Sequence, residues 1–172
     1  MRLAKHYLMR LLPYRRVELQ SPLPITNVIQ ALSDAVDPPR SSWLDLGSRP
    51  FEGTVTGAEF RIYRVIGYRN SFRPQISGTA APDGHGSRVS VTMSLHAAVA
   101  VFMGIWLGIV FWVCVAFFIA VLEGSVPFEP PLLVPPGMLL FGGLLCLGGF
   151  GVEARKAEGL IMALVQGRPA NA

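Results

Sequence analysis

Apolar residues in this chain gather into two stretches without a single charge, Ala97 to Leu122 and Leu132 to Val152. Both predict helices that cross a membrane, because a hydrocarbon core about 30 Å thick needs roughly 20 apolar residues. At about 1.5 Å per residue the first reaches roughly 39 Å and the second roughly 31 Å. The first therefore has length to tilt or to enter the headgroup region. The alternative is a buried helical pair in a soluble protein, where helices rarely run so far without a charge. Elsewhere the period changes. Arg15 to Gln20 alternates polar and apolar residues, as a half-buried strand does. From there on, apolar residues recur at Ile25, Val28, Ile29, Leu32 and Val36, the stripe of an amphipathic helix. Pro24 fits its first turn, and Pro38-Pro39 ends it.

Strand signals then accumulate. Phe51, Gly53 and Val55 share one face, Gly57-Ala-Glu59 is a turn, and Phe60 to Ile66 is rich in strand formers. Gln75 to Ala80 and Arg88 to Leu95 flank Pro82-Asp-Gly-His-Gly86, which reads as a hairpin turn. Val89, Val91, Met93 and Leu95 alternate with Ser90, Thr92 and Ser94, so one face of that strand is buried and the other wet. Past the second apolar stretch, Ala157, Leu160, Ile161 and Leu164 predict a final amphipathic helix that continues the span, folds back on the sheet and is closed by Gly167 as a C-cap.

The expected fold class is α+β. A small antiparallel sheet carries an amphipathic helix, and a two-helix transmembrane hairpin is inserted before a C-terminal helix. The expected division is 1–96 as a cytoplasmic domain, 97–122 and 132–152 as spans, 123–131 as a periplasmic connector, and 153–172 as a helix packing on the domain. With the hairpin removed, this element order resembles the helix-grip arrangement of START-like lipid-binding domains. That resemblance implies an apolar cavity between sheet and final helix.

Charge sets the orientation. All fifteen Lys and Arg lie outside the hairpin, twelve before it and Arg155, Lys156 and Arg168 after it. The connector Glu123 to Pro131 holds two Glu and no base. Basic segments beside spans stay cytoplasmic, so a multi-pass protein with both termini in the cytoplasm is expected. Thirteen Arg against two Lys suggests a GC-rich bacterial genome, hence a bacterial inner membrane. Met1 to Pro13 lacks the apolar core of a secretory signal. Its Leu3, Tyr7, Leu8, Leu11 and Leu12 would instead form one face of a short basic helix able to lie on an anionic leaflet, or belong to a frayed tail. A pI near 9.5 is what this topology demands, and the bases are spread out, so no nucleic-acid partner is expected.

Little in the chain points to catalysis. Neither span holds Asp, Glu, Lys, Arg or His, which removes the groups a channel, proton relay or intramembrane protease needs. His6, His85 and His96 are isolated, with His96 an interfacial residue at the mouth of the first span. Cys114 and Cys146 sit inside the spans, and no metal site or cofactor is expected. The acids Asp34, Asp37, Asp45, Glu52, Glu59 and Asp83 are scattered, and none is singled out as catalytic. A non-enzymatic binding module is therefore expected. Lipid or small apolar ligand binding in a START-like cavity is one alternative, and a membrane-surface enzyme with an unidentified cytoplasmic site is another.

Two groups of residues stand out as contact candidates. Ala100, Gly104 and Gly108 on the first span, with Gly142 and Gly143 on the second, provide small faces where helices approach closely. They serve either packing within the hairpin or recruitment of a protein partner or a second copy. The other group lies in Tyr68 to Gly78. There Arg69, Asn70, Ser71, Phe72, Pro74, Ile76 and Gly78 spell R-N-S-F-x-P-x-I-x-G. This resembles a family of small, uncharacterised bacterial membrane proteins in which that motif precedes a strand and two spans. The resemblance implies architecture and no activity. The segment reads as a turn ordering two strands. Alternatively, Arg61, Arg64, Arg69 and Arg73, with Asn70, contact lipid headgroups or a partner, each base near the leaflet contributing about 1 kcal/mol. Arg61 and Arg64 fall on opposite faces of a regular strand, so a single patch is not assured.

Overall fold

Alternation along the strands decides which face of the sheet is buried. The computed structural model describes residues 13–39, 48–68 and 70–170; the basic N-terminal segment, Asp45 and Arg69 lie outside them. The elements are β1 (Tyr14–Ser21), α1 (Ile25–Asp34), β2 (Val36–Asp37), β3 (Phe51–Thr56), β4 (Glu59–Arg64), β5 (Gln75–Asp83), β6 (Gly86–Ser94), α2 (Ala97–Leu122), a 3₁₀ turn (Pro130–Leu133), α3 (Val134–Leu164) and β7 (Arg168–Pro169). They form one seven-stranded sheet, ordered β2-β3-β4-β5-β6-β1-β7. Among the described residues, only the β2–β3 pairing is parallel. The fold is α+β, with β1 beside β6 and a long last helix packed on the sheet.

Two hairpins turn on glycine. Gly57 and Gly84 adopt φ of +58° and +61°, the sign required at the first position of a tight two-residue turn. On the inner face Leu19, Phe51, Ile62, Ile76, Val89 and Met93 are fully buried. Val28 and Leu32 of α1 and Ala154, Ala157 and Ile161 of α3 cover them at no more than 1% exposure. Side chains so covered leave no water-sized space among themselves. They belong to one core cluster, in the place where the START-like order would put an apolar cavity.

α2 and α3 are long and apolar enough to cross a membrane. They pack on a seam in which Met103, Val110, Gly142 and Cys146 are buried, the three-four spacing of a helical pair. His96 caps α2, its Nδ1 accepting from the Ala98 N–H at 3.3 Å.

Several boundaries differ from the sequence reading. Val36 is not on α1, which ends at Asp34; it pairs with Phe51 in the edge strand β2. Pro38 also disfavours helical geometry at Asp37, the second residue of that strand. Pro24 is the N-cap of α1 and stands just outside its first turn. The second span and the C-terminal helix are one unbroken helix of 31 residues, the continuation expected from the sequence. The positive φ after α3 belongs to Gln166, at 50°, and not to Gly167. The Gly167 and Gln166 N–H groups donate to the Met162 and Ala163 carbonyls at 2.9 and 3.3 Å, which is the Schellman pattern. β7 then pairs with β1 and covers part of that sheet edge.

Candidate functional site

Where the apolar stretch of α3 ends, its buried stripe does not. Cys146, Phe150, Glu153, Ala157 and Ile161 are all buried, so the seam of the helical hairpin runs on into the core of the sheet. Glu153 stands on that stripe with no exposure at all. A carboxylate in such a place requires partners, and three converge on it. Arg64 Nη1 donates to Oε2 at 2.6 Å, the Tyr68 hydroxyl donates to Oε1, and Lys156 Nζ lies 3.5 Å from Oε1. Arg64 arrives from the inner face at the hairpin end of β4, Tyr68 from the loop that follows, and Lys156 from the next turn of α3. Five residues further on, Glu158 pairs with Arg15 of β1 at 2.6 Å. Beyond the end of α3, the Ser21 hydroxyl donates to the Val165 carbonyl at 2.6 Å. These contacts carry the helix across the sheet from β4 to β1.

Burial pushes the Glu153 carboxyl up. The hydrogen bonds from Tyr68 and Arg64, and the charges of Arg64 and Lys156, outweigh it and hold the group below its ordinary value. The hydrogen bond to Glu153, together with partial desolvation, raises Tyr68 in turn.

The loop after Tyr68 docks on the same helix. Asn70 Oδ1 accepts from the Phe72 N–H at 2.9 Å, and the Asn70 carbonyl accepts from the Arg73 N–H at 3.2 Å. This turn sets the Phe72 ring against Gly149, where a Cβ would sit 3.3 Å from it. Pro74 and Ile76 then enter the core, and Gly78 lies beneath the Phe60 ring. The motif positions from Asn70 to Gly78 thus largely serve the turn, its contact with α3 and the strand that follows.

The arginines proposed as one basic surface are not brought together. Arg64 is locked to Glu153. Arg73 pairs with Glu52 at 3.0 Å, donates to the Arg64 carbonyl at 3.2 Å and lies over the Tyr63 ring. Arg61 is exposed on the face of the sheet opposite to Arg64, the same face on which Tyr63 and Glu52 hold Arg73, and Arg69 lies outside the described residues. The cause is strand alternation together with the acids within reach.

The small residues divide as well. Gly142 receives the Trp106 ring within the hairpin. Gly104, Gly108 and Gly143 have open space where a side chain would stand, and Ala100 is exposed. Glu153, the centre of the junction, was not singled out in the sequence. Its signal was a charge three residues after Phe150 and four before Ala157, on an otherwise apolar stripe.

Among the described residues, no three His, Cys, Asp or Glu side chains gather as metal ligands would. Neither a protein-family model, nor a curated protein, nor a solved structure matches the chain.

Proposed function

We propose that this chain is a two-span protein of a bacterial cytoplasmic membrane, with both termini in the cytoplasm. Its α+β domain is a non-enzymatic binding module fixed to the leaflet surface. The observation that carries this reading is the unbroken helix α3, which leaves the apolar hairpin and enters the sheet core through a fully buried, fully engaged Glu153. Such a joint holds the domain in one orientation, where a flexible tether would not. Phe102, Trp112 and Leu140 point away from the hairpin at 64%, 69% and 66% exposure, which suits lipid and not water. The base-free connector and the twelve bases before α2 support the orientation. Arg155 and Lys156 come three and four residues after Val152, near headgroup level, where anionic lipid is the natural contact.

Binding is favoured over catalysis because the Glu153 carboxylate is held by Arg64, Tyr68 and Lys156 and so is not free to act as a base. The outward Ala100, Gly104 and Gly108 offer a route for a partner helix or a second copy. An alkaline phosphatase reporter, active only outside the cytoplasm, tests the topology. Inserted in the connector at Ser125 it is expected to be active, and fused after Ala172 inactive. Activity at Ala172 would overturn the reading.

A further inference from the structure

The outer face of the sheet carries an ordered array that the junction does not use. Strand register sets its side chains in rows. One row runs Arg16, Thr92, Ser77, Arg61, Thr54 across five strands. The next row, one step further from the hairpin, places Ser90 and Thr79 between Glu18 and Glu59. In these two rows β5 and β6 present only short hydroxyl side chains, with Arg16 on one flank and Arg61 on the other. Three strand spacings separate the two arginines, about 14 Å between their backbones. Short residues between long ones make a trough of about 530 Å³, within the size range of small-molecule sites.

The polar groups of the trough are unspent. Arg61 has no ion pair or hydrogen bond among the described residues, and neither do the side chains of Ser77, Thr79, Ser90 and Thr92. Arg16 has only an exposed contact with Glu18 at 3.4 Å, a kind of pair that contributes little and exchanges readily. A face serving only for solubility gains by setting opposite charges across from each other. Here each arginine faces hydroxyls.

We infer that this trough binds a soluble phosphorylated sugar with an anionic group toward each end. A guanidinium takes a phosphate through two parallel N–H···O bonds, so Arg16 and Arg61 hold the ends. The hydroxyl floor and Glu59 exchange hydrogen bonds with the sugar hydroxyls between them. The polar walls do not suit an apolar ligand. On the topology proposed above, Tyr14 and Tyr63 fill the row nearer the hairpin. This places the arginines one row, about 7 Å, further from the bilayer, which favours a soluble ligand over a lipid headgroup.

The test uses the full chain in phosphatidylcholine nanodiscs, titrated calorimetrically with fructose 1,6-bisphosphate. Saturable binding near one per chain is expected, with Kd below about 1 mM and at least about tenfold tighter than for fructose or inorganic phosphate. Arg61→Gln and Arg16→Gln are each expected to weaken it by about tenfold or more, and Thr92→Val, which removes one floor hydroxyl, by about threefold. All three sites are on the wet face and leave the core intact. The Arg155→Gln variant is expected to bind as the parent does. Four outcomes would each overturn the inference: no saturable binding, equal affinity for inorganic phosphate, loss of binding in Arg155→Gln with none in Arg61→Gln, or binding confined to nanodiscs containing phosphatidylinositol phosphate.

Discussion

Arg64 of β4 and Glu153 of α3 meet at 2.6 Å across 89 residues of chain, one side chain fully buried and the other 21% exposed. Losing one partner of such a pair leaves the other as an uncompensated buried charge, whereas replacing both with apolar residues is far better tolerated. The buried Arg64 Nε finds no partner among the described residues, a cost that apolar replacement removes. Arg64→Met is therefore expected to cost about 3 kcal/mol, the lower end for buried pairs. The Arg64→Met/Glu153→Leu double variant should recover most of it. Unfolding midpoints of the detergent-solubilised chain check this, and additive losses in the double variant would contradict it.

Acid should loosen the same joint. Glu153 is held below its ordinary value near 4.5, so its contribution is complete above that value and is lost as pH falls through the lowered folded one. The stability gap between the parent and Glu153→Gln is expected to stay constant from neutral pH down to about 4.5 and to narrow below it. Denaturation midpoints across this range measure the gap. A gap that closes near neutrality would contradict the assignment.

Gly142 and Gly104 should respond differently to one substitution. A side chain at Gly142 would enter the Trp106 ring, while Gly104 has open space. Gly142→Val is expected to destabilise the hairpin by about 1–3 kcal/mol, as overpacking does. Gly104→Val should leave the melting temperature in detergent unchanged. If Gly104 also serves a second copy, the variant will run as a smaller species in size-exclusion chromatography with light scattering.

The end of α3 offers a stabilising change. Gln166 holds a left-handed φ of 50°, which glycine adopts without the penalty of about 1 kcal/mol that a Cβ incurs. Gln166→Gly is expected to raise stability by about that amount. Gly167→Ala should lower it, because a Cβ there would sit 2.9 Å from Val165 Cγ2 and 3.3 Å from Leu19 Cβ.

Much of the fold was legible because burial and period coincide. The first span was placed at Ala97 to Leu122, the bounds of α2. The alternation of Val89, Val91 and Met93 marked the buried face of β6, and Gly84 sat in the expected hairpin turn. What escaped was set by contacts distant in sequence. Val36 continues the stripe of α1 on paper, yet pairing with Phe51 draws it into the sheet. The end of the span drawn at Val152 followed a change in polarity, while the helix runs on as expected, since Glu153 keeps the helical period and finds its counter-charge on β4. Arg64 and Arg73 were grouped in one candidate surface because the acids that engage them, Glu153 and Glu52, come from elsewhere in the chain.

The central claim, that α3 carries one rigid orientation from the hairpin into the domain, is tested most directly by electron–electron distance measurement in lipid nanodiscs. Spin labels go on Leu144 of α3 and Ala81 of β5, both exposed, with Cys114 and Cys146 replaced by Ala. A single narrow distance distribution is predicted, broadening when Arg64→Met removes the clamp on Glu153. A broad or two-peaked distribution in the otherwise native chain would contradict the account.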